Sequence, residues 1–287
     1  MTLRAAAPAP TDGRAWVMGP SIKSHGVRFR FRVSRREVLS MLAERLPYGW
    51  KPATPAVADR LYSVDIPVPG SSSRPRPFSI LHADGVELAR TREPQELLDF
   101  LEADLRHHVA EHAPRRVFVH AGVVGFRGRA IVIPGRSHSG KSTLVGELIR
   151  AGATYYSDEY AVLDARGRVH PFAKPISIRE GIVFKRTTRR SVASFGGEAG
   201  RKPLPVGLVV LCRYRRGRRF RPCALSAGQG TLEMVAHTVS ARRDPAAALQ
   251  ALRQVAESAS IITTFRGDAE ETAARILEYA KYLESAA

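Results

Sequence analysis

The chain is poor in cysteine, lysine and negative charge. Only Cys212 and Cys223 occur in 287 residues. Two thiols cannot staple a domain of this size, so a disulfide framework is excluded and reduced thiols in a cytoplasmic setting are expected. They flank Arg215-Arg216-Gly217-Arg218-Arg219, which reads as a hairpin turn and would let them face each other across two strands. Ligands at zinc spacing are missing. No apolar run approaches a membrane span. The first fifteen residues are rich in Ala, Pro and Thr without a central apolar stretch, which argues against a secretory signal and reads as a flexible tail. Internal repeats are absent as well.

Acidic residues number 27 against 45 basic ones, of which only seven are lysine, and the formal charge is +18. An arginine bias of this kind follows as readily from GC-rich coding as from selection for phosphate contacts. The densest runs are Lys185–Arg190 and Arg213–Arg221. Apart from Tyr214 and Phe220 they lack the interleaved rings of a base-stacking platform, which disfavours nucleic acid as the main partner. The first run follows the candidate site and is placed to meet substrate or phosphates. The second, at a hairpin tip, is expected to be merely solvated. An acidic peptide or protein partner fits the charge equally well.

What is present is a complete phosphate-binding loop. Gly135-Arg136-Ser137-His138-Ser139-Gly140-Lys141-Ser142 fits G-x-x-x-x-G-K-[ST] at every fixed position. Ahead of it, Arg129–Pro134 is a short apolar run of strand character. Behind it, Leu144, Val145, Leu148 and Ile149 recur at helical spacing, and Gly152 stands where a helix stops. In that context the backbone from Gly135 to Thr143 is expected to cradle the phosphates of a nucleoside triphosphate. Lys141 would reach the terminal phosphates, and the Ser142 hydroxyl would ligate Mg2+.

Seventeen residues after Lys141 come Asp158 and Glu159, in a segment, 155–163, that reads as a strand. Burying carboxylates without a cation is costly, so the pair marks a site. Neighbouring strand residues face opposite ways, so the two acids are expected to divide the work. One would hold the metal or its water shell; the other would accept a proton from an attacking hydroxyl. Upstream, His120 lies within the apolar strand Val117–Val124, where periodicity alone leaves open whether it is a core residue or a functional one.

Taken in order, His120-Ala121-Gly122, the loop ending Gly140-Lys141-Ser142, and Ser157-Asp158-Glu159 resemble the bacterial HPr serine kinase/phosphorylase and its HPr-kinase-like relatives. The resemblance covers residues 115–180. It implies an ATP- and Mg2+-dependent kinase that phosphorylates a serine or threonine hydroxyl on a protein or peptide, with a homo-oligomer allowed. Asp158 looks like the acid that takes the acceptor proton. Glu159, where the family usually has aspartate, takes the second acidic position with Ser142 at the metal. His120 looks like the histidine near the catalytic acid. Arg179, in Ser177-Ile178-Arg179-Glu180-Gly181, is the nearest match to a later family arginine, with an inserted glutamate. The segments that grip HPr itself are not recognisable, so the resemblance points to another acceptor, such as the precursor peptide of a natural product. The alternative is a nucleotide-dependent binding or switch protein with little transfer activity. Carboxykinase chemistry is disfavoured, because its further metal ligands are missing.

The organisation expected is a tail over 1–15, an α+β domain over 16–113 and an α/β P-loop domain over 114–287, of the HPr kinase/phosphoenolpyruvate carboxykinase type. In the first domain, Val27–Val33 alternates as a strand, and Ser34-Arg35-Arg36-Glu37 reads as a capping box opening a helix to Leu46. Ala83-Asp84-Gly85 turns a hairpin, Glu93–His112 makes an amphipathic helix, and Trp16 and Trp50 read as core anchors. In the second, strands at 117–124, 129–134, 155–163 and 206–211 form a mixed sheet, with a hairpin over Tyr160–Val169. Arg189–Pro205 reads either as a mobile loop over the site or as a disordered insertion. His237 reads as a surface residue of a helix over Gly230–Ser240. Asp244 and Asp268 read as helix caps.

Overall fold

The structure, a computed structural model, describes residues 15–54, 58–67, 77–137, 139–180 and 186–285, with residues 178–180 and 186–187 as backbone alone. Residues 1–14 of the expected tail and His138 lie outside the described residues. The chain divides into two compact units, Met1–Pro114 and Arg115–Ala287.

The first unit contains β1 (Val17–Ser24), β2 (Val27–Val33), α1 (Val38–Ala43), β3 (Lys51–Pro52), β4 (Arg60–Asp65), β5 (Ser79–Ala83), β6 (Val86–Thr91) and α2 (Pro94–His112). The period of two is plain in β2, where Val27, Phe29, Phe31 and Val33 are buried and the arginines between them are not. The strands form one sheet in the order β3-β1-β2-β4-β5-β6, with β2 and β4 parallel. Helix α2 buries Leu97, Leu98, Leu101 and Leu105. Two expectations fail. Ser34 caps no helix: its hydroxyl oxygen accepts the Ile66 N–H at 3.0 Å, and α1 starts later without a side-chain cap. Trp50 is 40% exposed and anchors no core, whereas Trp16 lies under the Arg32 guanidinium at 4.5 Å.

The second unit begins with β7 (Val117–Phe126), β8 (Arg129–Pro134), α3 (Lys141–Arg150), β9 (Thr154–Ser157), β10 (Tyr160–Leu163) and β11 (Arg168–His170). It continues with β12 (Ile176–Glu180), β13 (Arg186–Arg190), β14 (Leu204–Tyr214), β15 (Cys223–Ala224), α4 (Ala227–Val235), α5 (Pro245–Ser258), β16 (Ser260–Arg266) and α6 (Ala269–Ser285). The main sheet runs β11-β10-β7-β8-β14-β16-β15 and is mixed: β8, β14 and β16 are parallel, and β7 is antiparallel to β8. Side chains of β7 alternate between two cores. Val119, Ala121 and Val123 pack with Met234, Leu252 and Val255 of α4 and α5; Val124 packs with Leu144, Leu148, Ile276 and Leu277 of α3 and α6. This is an α/β architecture with helices on both sheet faces. Asp244 accepts the Ala247 N–H at 3.1 Å and Asp268 the Glu270 N–H at 2.9 Å, so both expected caps form. Among the described residues no helix is long and apolar enough to cross a membrane.

Four readings of this unit need correction. The single strand over 155–163 is interrupted: Ser157 pairs with Val123 and Tyr160 with His120 in one register, and the two acids stand at the break. Arg189–Pro205 is neither a loose lid nor a disordered insertion but docks on α3 and β9. Phe195 is buried against Gly146, and the Tyr155 N–H donates to Glu198 O at 2.9 Å. Cys212 and Cys223 do not face each other, because β16 lies between their strands; both are free thiols. His237 lies beyond α4 in a turn whose backbone reaches β7.

Candidate functional site

Parallel β8, β14 and β16 end on one side of the sheet, and open α/β sheets bind ligands outside such strand ends. The phosphate loop leaves β8 there. Its first residue is fastened to β7 twice: the Gly135 N–H donates to His120 O at 3.1 Å, and His120 Nδ1 donates to Gly135 O at 2.7 Å. A carbonyl only accepts, so Nδ1 carries the ring proton. At the other end Gly140 has φ +79°, the left-handed region that favours glycine, and a Cβ there would come 2.2 Å from Arg266 Nη2. That same Nη2 donates to Ser139 O at 2.7 Å, bracing the loop from behind.

Helix α3 starts at the next residue, so Lys141, Ser142 and Thr143 form a first turn whose N–H groups have no helical acceptor. Such a terminus favours an anion. Arg136, Ser137 and Thr143 are exposed, while Ser139 and Ser142 are half-buried. Lys141 is only 8% exposed, and its Nζ donates to Gly135 O at 2.8 Å and Arg136 O at 2.7 Å. Burial pulls its ammonium down to about 8, against the opposing pull of Asp158 and Glu159. Gly122 lets α3 sit this close: a Cβ on it would lie 2.6 Å from Val145 Cγ2.

The acids stand where Ser157 bends the strand, its Oγ accepting the N–H of Glu159 at 3.1 Å and of Tyr160 at 3.0 Å. Asp158 is a buried hub. Its Oδ2 accepts the Ser142 hydroxyl at 2.8 Å; its Oδ1 accepts the Tyr155 hydroxyl at 2.9 Å and lies 2.9 Å from Lys174 Nζ. Burial, and then Asp158, push the Tyr155 phenol well above its ordinary range, so it remains a donor. The Asp158 side chain is 2% exposed and the Glu159 side chain 21%, with Lys174 Nζ 3.9 Å from Glu159 Oε2. This contact pattern runs against the expected division of labour: Asp158, not Glu159, touches the hydroxyl expected at the metal.

His120 is pushed down to about 4, by burial first and the Lys141 charge second, with the Gly135 hydrogen bond opposing. It is therefore neutral around pH 7, and no hydrogen bond joins it to Asp158. Its ring bond is to Gly135, which gives His120 a positioning role on the loop. Arg179 is placed on β12, whose first residue, Ile176, is buried with α3, but its side chain lies outside the described residues.

Sequence reasoning missed three residues. Lys174 neutralises the acids; its signal was a lysine inside Pro171-Phe172-Ala173-Lys174-Pro175, in a chain with seven lysines. Arg266 braces the loop, and nothing local announced it. His237 accepts the His120 N–H at 2.8 Å through its carbonyl, and its imidazole is lowered by burial and then by Lys141.

Among the described residues no three His, Cys, Asp or Glu side chains converge into a cage for a metal ion. Magnesium bound beside phosphates needs only one or two carboxylates, and Ser142 Oγ with Asp158 Oδ2 is a hard-oxygen pair of the right kind. Compared with known proteins, the chain matches no family model and no curated sequence.

Proposed function

We propose that the Arg115–Ala287 unit is an ATP-dependent phosphotransferase of the HPr kinase/phosphoenolpyruvate carboxykinase type, acting in the cytoplasm on a serine or threonine hydroxyl of a protein or peptide. One observation carries the reading: the Ser142 hydroxyl of a complete phosphate loop is hydrogen-bonded at 2.8 Å to a buried carboxylate on a neighbouring strand. A loop that only turned the chain would have no use for that carboxylate. Bound Mg2+ would be held by Ser142 and Asp158 and would neutralise charge on the β- and γ-phosphates. Lys141 would exchange its two loop carbonyls for phosphate oxygens. His120 and Arg266 fix the two ends of the loop. Arg179 is retained as a transfer residue on the resemblance alone.

Of the two acids, Asp158 is proposed for the metal and Glu159 for the proton, the reverse of the sequence expectation. Asp158 already accepts from Ser142, Tyr155 and Lys174, and it has almost no exposed surface. Glu159 is the more open of the two. A second reading, a nucleotide-dependent switch, draws on Lys174, which stands near both acids and would hold the base candidate in an ion pair.

The test is incubation with labelled ATP and serine-containing peptides, beside a hydrolysis control. Glu159→Gln should keep ATP affinity and lower transfer by about a hundred- to ten-thousand-fold, the usual worth of a general base. Asp158→Asn should raise the magnesium concentration needed for half-maximal rate. ATP hydrolysis with no transfer to any acceptor would favour the switch and reject the kinase.

A further inference from the structure

The run Arg213–Arg221 is not the tip of a hairpin. Val209 pairs with Val132, so by the same parallel register residue 211 is level with Pro134, where β8 ends, and 212–214 run on beside the phosphate loop. Tyr214 then pairs with Arg266. From there the chain wraps the end of β16: the Arg215 N–H donates to Arg266 O at 2.9 Å, and the Arg221 N–H to Thr264 Oγ1 at 3.0 Å. Cys223 and Ala224 return antiparallel along the far edge of β16. One residue joins this cap to the site, since Arg266 touches Ser139 of the phosphate loop and lies over the Tyr214 ring at 5.1 Å.

Six arginines crowd this cap: Arg213, Arg215, Arg216, Arg218, Arg219 and Arg221, all exposed. Among the described residues none of them is paired with a carboxylate. Elsewhere in the same unit Arg150, Arg168, Arg253 and Arg275 each have one within 3.2 Å. Six uncompensated like charges repel one another, and they concentrate an attractive field for anions beside the loop. Each of the two exposed rings here already carries a guanidinium over it. Tyr214 has Arg266 over it, and Phe265 has the Arg218 guanidinium at 5.7 Å. A surface of cations with capped rings suits carboxylate side chains better than bases.

We propose that the arginine cap over residues 213–221 docks an acidic peptide segment, the one that carries the acceptor hydroxyl; this rests on the phosphotransfer reading above. The probe is a fluorescently labelled peptide of alternating Glu and Ser, with a Gln–Ser peptide of equal length and a single-stranded oligonucleotide of equal charge as comparisons. Binding is read without ATP, so docking and transfer are scored separately. The wild-type protein should bind the Glu–Ser peptide, not the Gln–Ser one, with affinity falling as salt rises. Arg216→Gln, Arg218→Gln and Arg219→Gln together should weaken it at least about tenfold, with ATP affinity unchanged. Removing three exposed charges elsewhere in the unit, by Arg115→Gln, Arg166→Gln and Arg242→Gln, should weaken it less than about threefold.

Equal losses in the two triple variants, or salt-independent binding by the wild type, would overturn the proposal. So would tighter binding of the oligonucleotide that is lost in the first triple variant, which would mark a nucleic-acid surface. Arginine-dependent peptide binding with no phosphate transfer would uphold the docking site and sink the kinase reading. Transfer to the peptide at undiminished kcat/KM in the first variant would do the opposite.

Discussion

Gly122 tests whether the seating of α3 on the sheet sets the proposed nucleotide site. A Cβ on Gly122 would lie 2.6 Å from Val145 Cγ2 and 3.9 Å from Lys141 Cβ. Packed carbons sit about 3.5–4.0 Å apart, so Gly122→Ala must push α3 off the sheet by about 1 Å. Val145 is fully buried and has nowhere to turn. Overpacking of this size costs about 1–3 kcal/mol, which in a unit of this length lowers the melting temperature by about 5 °C. Lys141 and Ser142 occupy the first turn of α3 and move with it, so ATP affinity should fall about tenfold or more. Val145→Ala removes the clashing methyl and, alone, leaves a cavity costing about 2 kcal/mol. The double variant should then be at least about 1 kcal/mol more stable than the sum of the singles, with ATP affinity recovered. Calorimetric unfolding and isothermal titration of the four proteins measure both quantities. A strictly additive cycle, or an unperturbed Gly122→Ala, would refute the idea that this glycine sets the seat of the helix.

Arg266→Lys should raise the Kd for ATP about tenfold by removing a charge-assisted hydrogen bond to Ser139 O; unchanged affinity would mean the loop needs no brace. Lys174→Met should lower stability by about 3 kcal/mol, because Asp158 stays buried with its counter-charge gone. Lys174→Met with Asp158→Asn should recover part of that loss, and full additivity would contradict the pairing. For His120 the folded value, about 4, lies below the unfolded one, 6.5, so the unfolded chain binds more protons between them. Stability should therefore fall as pH drops from about 6.5 to 4, by at most about 3 kcal/mol, and the slope should be missing in His120→Gln. Urea unfolding across that range checks it, and equal slopes in the two proteins would show that His120 titrates elsewhere.

Features set by spacing along the chain were legible in the sequence. The alternation in β2, the leucine face of α2, the strand–loop–helix around Lys141 and the caps Asp244 and Asp268 each depend on neighbours within a few positions. Readings failed where a distant group won the competition. Ser34 had the spacing of a capping box, but Ile66 offers its hydroxyl both an N–H and a carbonyl. The two acids sat in a segment of strand composition, yet the Ser157 hydroxyl gathers the next N–H groups and opens the ladder there. His120 looked like a companion of the catalytic acid by its place in the order of motifs, but its ring proton goes to Gly135 O, a loop carbonyl that local spacing does not announce.

The rest of the site was illegible because it is made by topology. Arg266 meets Ser139 across 127 residues of chain, and it does so only because β16 is laid parallel to β14, itself parallel to β8. No periodicity carries that information; it appears once the crossover through α5 is closed. The same crossover decides the fate of the arginine run. With β14 and β15 paired directly, residues 213–221 would be a tip in solvent and their charge would have no object. With β16 inserted between them, the run is drawn across the strand ends, one side chain away from the phosphate loop. The net charge of +18 was visible from the start, but a charge acquires a direction only when the order of the strands says what it faces.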